Sequence, residues 1–179
     1  MMEIRIHGRG GQGSVTMAEL LAEAAFYGGW QVQAFPSFGA ERLGAPVAAF
    51  VRLDKKPIRL RSQIYSPDYL IVQDPTLLEI KSLFADVKPG TIALINSSQA
   101  EKVPLPKNVK VKFIDAKNLA MEILGRPIIN TILLGAFAGM TGLIGMAAVE
   151  KAIRRRFSGE LADKNVEAAK RGFETIANN

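Results

Sequence analysis

The sequence predicts an α/β domain in which a mixed, mostly parallel sheet is flanked by helices. Three observations carry this expectation. A glycine-dense turn, Gly8-Arg9-Gly10-Gly11-Gln12-Gly13, separates a short apolar run from one of helical period. Further apolar runs at 47–53, 69–73 and 91–95 have the length of buried strands. Between and after them lie longer stretches of helical period, punctuated by Gly and Pro. A chain of 179 residues, 48% hydrophobic and 22% charged, is sized for one well-buried domain, residues 1–179.

Taken in order, residues 3–7 form a first strand. Thr16 and Glu19 have the spacing of a capping box for the helix that follows. Met17, Leu20, Leu21, Ala24 and Ala25 place one apolar stripe on that helix, and Gly28-Gly29 ends it. Residues 30–35 alternate as a second strand, so strand, turn, helix and strand read as a βαβ unit with a parallel pair. Residues 47–53 are a third strand, and 58–61 alternate as its hairpin partner, which makes part of the sheet antiparallel. Asp74-Pro75 opens a helix running to about residue 84, with Asp74 as N-cap and Pro75 in first position. Residues 109–114 alternate with lysines and read as an edge strand, and Asp115 starts a helix that ends near Gly125.

No charged residue occurs from 128 to 149. That length would admit a membrane span, but Asn130, Thr131, Thr141 and the break at Gly139-Met-Thr-Gly142-Leu-Ile-Gly145 point to a buried helix. Gly135 and Gly139, one turn apart, would let another element approach closely. A helix from Met146 ends in Arg154-Arg155-Arg156, favourable at a helix C-terminus. Residues 160–176 form a last amphipathic helix with Leu161, Val166, Ala169 and Phe173 inward.

Composition excludes several chemistries. There is no cysteine, so neither disulfides nor a cysteine-held iron–sulfur cluster belongs to this chain. One histidine, His7, does not make a zinc site, and no metal site is expected. The chain starts on a strand pattern without a basic and apolar leader, so it reads as cytoplasmic. The net charge is +6 (23 basic minus 17 acidic), gathered at 52–61, 107–112 and 154–156. Each run by itself reads as a solvated face, and no nucleic-acid-binding motif accompanies it.

Gly8-x-Gly10-x-x-Gly13 between a strand and a helix matches the dinucleotide fingerprint, which makes the domain three-layered and Rossmann-like. Such a turn leaves helix amides free for a phosphate or carboxylate. The acidic residue that should end the second strand is missing, however: the chain reads Phe35-Pro36-Ser37 there. No P-loop and no serine–histidine–acid set is present, His7 packs under the turn, and no catalytic residue is assigned. The loop Pro36-Ser37-Phe38-Gly39-Ala40-Glu41-Arg42-Leu43-Gly44-Ala45-Pro46 lies at the same sheet edge as the glycine turn.

Three motifs together resemble one family. His7-Gly-Arg-Gly-Gly-Gln-Gly13, the loop from Pro36 to Pro46, and Gly125-Arg-Pro-Ile-Ile-Asn-Thr-Ile-Leu-Leu-Gly-Ala136 are similar to the gamma subunit of 2-oxoacid:ferredoxin oxidoreductases. The stretch from Pro57 to Leu78 resembles the pyruvate-specific members. The resemblance implies a subunit, inactive alone, of a complex with alpha, beta and delta chains that converts pyruvate and coenzyme A to acetyl-CoA and carbon dioxide. It implies thiamine diphosphate and 4Fe–4S clusters on the partner subunits, ferredoxin as electron acceptor, and no nucleic acid or membrane. It also implies that Gly8, Gly10, Gly11, Gln12, Gly13, Ser37, Gly39, Glu41, Arg42 and Asn130 meet on a surface facing coenzyme A or a partner. Leu43 stands where arginine is frequent in the family, and Ile129 where proline is. The alternatives are a gamma-type subunit for 2-oxoglutarate, 2-oxoisovalerate or indolepyruvate, and a stand-alone nucleotide-binding oxidoreductase.

Overall fold

In the computed structural model, which describes residues 1–37, 43–80, 85–98 and 109–177, six strands form one mixed sheet in the order β2-β3-β1-β4-β5-β6. The strands are β1 (Met2–Arg9), β2 (Gln31–Pro36), β3 (Pro46–Asp54), β4 (Tyr69–Val72), β5 (Ile92–Asn96) and β6 (Lys110–Ile114). The helices are α1 (Ser14–Tyr27), α2 (Ala116–Leu124), α3 (Asn130–Thr141), α4 (Met146–Arg156) and α5 (Gly159–Ala177). β1, β4, β5 and β6 pair in parallel, and β3 is antiparallel to both of its neighbours. This is a mostly parallel mixed sheet flanked by helices, a three-layer Rossmann-like α/β arrangement.

The side chains sort by the two-residue period of the strands. Ile4, Ile6, Ala49, Val51, Leu53, Ile71, Leu94 and Ile114 turn to the helical face and join the main core with α1, α3, α4 and α5. Leu70, Val72, Ala93 and Ile95 turn to the other face, where they pack with Leu77 and Leu78.

The expected parallel pair of β1 and β2 is not formed. The two strands run in the same direction, but β3 lies between them. β3 carries the buried run Ala49, Phe50, Val51, Arg52 and Leu53, which suits an inner strand, whereas no residue of β2 is fully buried, which suits an edge. Residues 58–61 are likewise not a strand. Both edges of β3 are already paired, so the chain from 55 to 67 crosses the second face as an irregular strap. Side chains of the sheet hold its carbonyls: Gln33 donates to Leu60 O, Arg52 to Ser62 O at 2.8 Å, and Arg5 to Tyr65 O. Arg52, 1% exposed, also binds Glu3 at 2.9 Å and Gln33 at 3.1 Å.

Three local expectations are corrected. The α1 capping box is absent: Gly13, left-handed at φ 74°, occupies the N-cap position and no side chain caps the helix. The helix after Asp74 is a 3-10 turn, Pro75–Glu79; Asp74 does cap it, accepting from Thr76 N, and residues 81–84 lie outside the described residues. Leu161 is exposed, because the inward stripe of α5 runs through Ala162, Val166, Ala169 and Ile176, one residue out of phase with it.

The uncharged segment is α3, buried along nearly its whole length. It packs most extensively on α5. A Cβ at Gly135 would collide with the Ala169 carbonyl, and one at Gly172 with the Ile132 carbonyl. The two backbones therefore touch directly, as the glycine spacing implies. Among the described residues no helix is long and apolar enough to cross a membrane.

Candidate functional site

Strand directions determine where the site lies. β1, β4, β5 and β6 end on one edge of the sheet, and the chain leaves each of them through polar residues: Gly8–Gly13, Gln73-Asp74, Asn96-Ser97-Ser98 and Asp115. A cleft of about 1050 Å³ opens over that edge, and Gly13, Asp115 and Asn130 bring the starts of α1, α2 and α3 to it. Ligands of open α/β sheets bind at this edge.

The glycine turn is closed by its own hydrogen bonds. Gln12 Oε1 accepts from Arg9 N at 2.7 Å, and Gln12 Nε2 donates to Asp74 Oδ2 at 2.8 Å. Gly10 N donates to Ala45 O and Gly44 N to Gly10 O, tying the turn to the two residues just before β3. Arg9 pairs with Asp74 at 3.2 Å and donates to Thr76 Oγ1 and Gly44 O. Two glycines are forced. Gly8 has no room for a Cβ beside Ser14 Oγ and Gln73 Oε1, and Gly13 combines positive φ with direct contact to Asn130 Nδ2.

Beneath the turn sits a buried amide network. Gln73, 1% exposed, accepts from Ser14 Oγ at 2.6 Å and donates to Asn130 Oδ1 at 3.0 Å. Its carbonyl accepts from Asn96 Nδ2, and Asn96 Oδ1 accepts from Ala116 N at the start of α2. One side chain thus joins the beginnings of α1 and α3, and its backbone reaches α2 through Asn96. Among the described residues no side chain caps the first turn of α1 or α3, and Gly13 and Asn130 at those starts line the cleft. The helix dipoles add positive potential at those two starts, where an anionic group fits, while Asp74, Glu79, Asp115 and Lys117 also line the cleft.

Two titratable groups adjoin the turn. Burial pushes the Asp74 carboxyl up, but hydrogen bonds from Thr76 and Gln12 and the Arg9 charge outweigh it and hold the group below the ordinary carboxylate range. His7 lies on the second face; burial, followed by the Arg5 charge, pushes it down to about 3. Its Nε2 has no hydrogen-bond partner among the described residues. A neutral imidazole at the end of β1 matches the packed histidine read from the sequence.

Of the residues nominated from sequence, Gly11, Gln12, Gly13 and Asn130 line the cleft. Gly8 and Gly10 build the turn behind it. Ser37 is elsewhere, bonded to Ala48 O and to Gln63 of the strap. Gly39, Glu41 and Arg42 lie outside the described residues. Sequence reasoning missed Gln73, Asn96, Asp115 and Lys117 as cleft residues. Each stands at or just past the carboxyl end of β4, β5 or β6, a position that becomes informative only once the strand order is known. Among the described residues no three His, Cys, Asp or Glu side chains are grouped to hold a metal ion.

The chain matches the family model described as pyruvate ferredoxin/flavodoxin oxidoreductase over residues 3–175. It is 52% identical over 178 residues to the pyruvate/ketoisovalerate oxidoreductases common subunit gamma of Pyrococcus abyssi, covering 97% of this chain and 96% of that protein. It is 52% identical over 176 residues to pyruvate synthase subunit PorC of Methanocaldococcus jannaschii, covering 98% and 97%. Among solved structures, pyruvate oxidoreductase subunit PORC from Thermotoga maritima superimposes with a TM-score of 0.86 at 37% identity, covering 97% and 95% of the two chains.

Proposed function

Because the chain belongs to the pyruvate ferredoxin/flavodoxin oxidoreductase family as a gamma-type subunit of a multi-subunit 2-oxoacid:ferredoxin oxidoreductase, we propose that its cleft receives coenzyme A. In this reading alpha, beta and delta chains supply the rest of the complex, and thiamine diphosphate and 4Fe–4S clusters reside on them. The complex acts in the cytoplasm, converting pyruvate and coenzyme A to acetyl-CoA and carbon dioxide while reducing ferredoxin. The observation that carries the reading is the pair of uncapped helix starts, α1 and α3, facing one cleft beside the glycine turn. Phosphate oxygens of coenzyme A satisfy those amides without requiring a ribose-binding acid after β2. This chain orients the thiol donor and leaves the carbon chemistry to its partners.

The test uses the assembled complex. Gly13→Val removes positive-φ tolerance and drives a side chain into Asn130. It raises the Michaelis constant for coenzyme A while that for pyruvate stays unchanged, and the chain alone reduces no ferredoxin. Unchanged coenzyme A kinetics in the folded, assembled variant rule the reading out, as does pyruvate oxidation by the pure chain.

A second reading concerns the 2-oxoacid. Four relatives, 50–52% identical, are named as gamma subunits common to pyruvate and ketoisovalerate oxidoreductases. On that pattern this chain serves more than one complex and the partner subunits select the acid. Reconstitution with each set of partners separates a shared from a dedicated subunit.

A further inference from the structure

Among the described residues Asn130 presents an amide with one end spoken for and the other open. The residue is 8% exposed, its Oδ1 accepts from Gln73 Nε2 at 3.0 Å, and its Nδ2 has no acceptor among the described residues. That Nδ2 lies against the α-carbon of Gly13 at the wall of the cleft. The orientation is dictated from below. Met17 Sδ stands 3.7 Å from the same Gln73 nitrogen, and a thioether sulfur accepts but cannot donate. The nitrogen end of Gln73 therefore faces Met17 and Asn130, and its oxygen faces the Ser14 hydroxyl at 2.6 Å. With a donor below it, Asn130 must turn its oxygen inward and its NH2 toward the cleft.

We propose that Gln73 is a positioning residue that fixes the polarity of Asn130, so that the Asn130 amide turns a donor, not an acceptor, toward an anionic ligand beside the glycine turn. Gln73 touches no ligand in this scheme; it acts through Asn130. Asn130's NH2 and the uncapped amides at the starts of α1 and α3 then present the same sign at the cleft. At the Asn130 amide this arrangement accepts a phosphate or pyrophosphate oxygen and disfavours a ligand N–H or O–H, while the carboxylates of Asp74, Glu79 and Asp115 line other parts of the cleft. The inference rests on the coenzyme A reading of the cleft and adds the element that selects for its phosphates.

The discriminating variant is Gln73→Glu at pH 8. An ionised carboxylate accepts from Ser14 and also from Asn130, so the Asn130 amide turns over and its carbonyl faces the cleft. In the assembled complex the Michaelis constant for coenzyme A then rises about tenfold or more, the worth of one charge-assisted hydrogen bond. The turnover number and the Michaelis constant for the 2-oxoacid remain at parent values. In the ¹⁵N-labelled full chain the Asn130 side-chain amide resonances shift, because the NH2 becomes hydrogen-bonded inward. Gln73→Met, which keeps the volume against Met17 and deletes the donor, carries the same two measurements where the carboxylate variant does not fold. Asn130 resonances that stay unmoved in folded Gln73→Met, whose side chain has no donor in any protonation state, overturn the relay. A turned amide with unchanged coenzyme A kinetics leaves the relay standing and overturns coenzyme A as the ligand of the cleft.

Discussion

Gly135→Ala measures how closely α3 and α5 depend on backbone contact. In an isolated helix this change adds about 1 kcal/mol of stability through propensity. Here the new Cβ would overlap the Ala169 carbonyl, while ordinary contact begins at 3.4 Å. A backbone carbonyl inside a helix cannot rotate aside, so the helices must separate by roughly an ångström. A gap of that size forfeits about a quarter to a half of the dispersion at each facing atom pair. Gly139 and Gly172, which touch Phe173 and Ile132 backbone in the same seam, lose contact with it. Overpacking of this kind costs about 3 kcal/mol, at the upper end of its range. The net loss is about 2 kcal/mol, or a melting temperature lower by about 4–8 °C for a chain this size. The assay is urea and thermal unfolding of the full chain, with Gly145→Ser as control. Gly145 has open space for a side chain and sits at the N-cap of α4, so the control stays within about 0.5 kcal/mol of the parent. A Gly135→Ala chain as stable as the parent refutes direct backbone contact between α3 and α5.

Other outcomes follow from the polar groups. Arg52→Met leaves the Glu3 carboxylate and the strap carbonyls without their donor; stability falls by about 3 kcal/mol, and trypsin cuts at Arg59 or Arg61 faster than in the parent. His7 sits near 3 when folded and near 6.5 when unfolded, so the unfolded chain binds the extra proton between those values. Stability therefore falls as pH drops from about 6.5 toward 3, and His7→Gln flattens that limb in urea titrations run across the range. Asp74, held low by its partners, contributes stability above its unfolded value that disappears at more acid pH; in Asp74→Asn that contribution is absent at neutral pH, and unfolding at pH 7 shows the difference.

Most of the fold was legible because its signals are local. Asp115 and Gly125 bracket α2 through capping chemistry, and Gly142 ends α3 with a left-handed residue that few other types adopt. The misreadings share a different cause. Whether β2 pairs with β1 or with β3, and whether 58–61 joins the sheet, depends on which edges remain unpaired, and no window of sequence contains that information. Thr16 and Glu19 have capping spacing, yet Gly13 takes the left-handed φ that starts α1 two residues before Thr16 is reached. At the site, the glycine turn and Asn130 were visible as motifs. Gln73 was not, since a single glutamine after a strand looks like any polar strand end until Ser14 and Asn130 are brought to either side of it.

The α3–α5 seam also has a consequence for synthesis. α3 is complete at Thr141, but the helix that covers it does not begin until Gly159 and its buried stripe extends to Ile176. While the ribosome adds those residues, the side of α3 that faces α5 stays uncovered in the nascent chain, even where its other side packs on α1 and the sheet. Chains that stop before α5 retain that exposed surface permanently, and hydrophobic surface of this kind recruits chaperones or other copies. The last helix of the domain thus decides whether a newly made subunit is released as a soluble assembly partner or lost to aggregation.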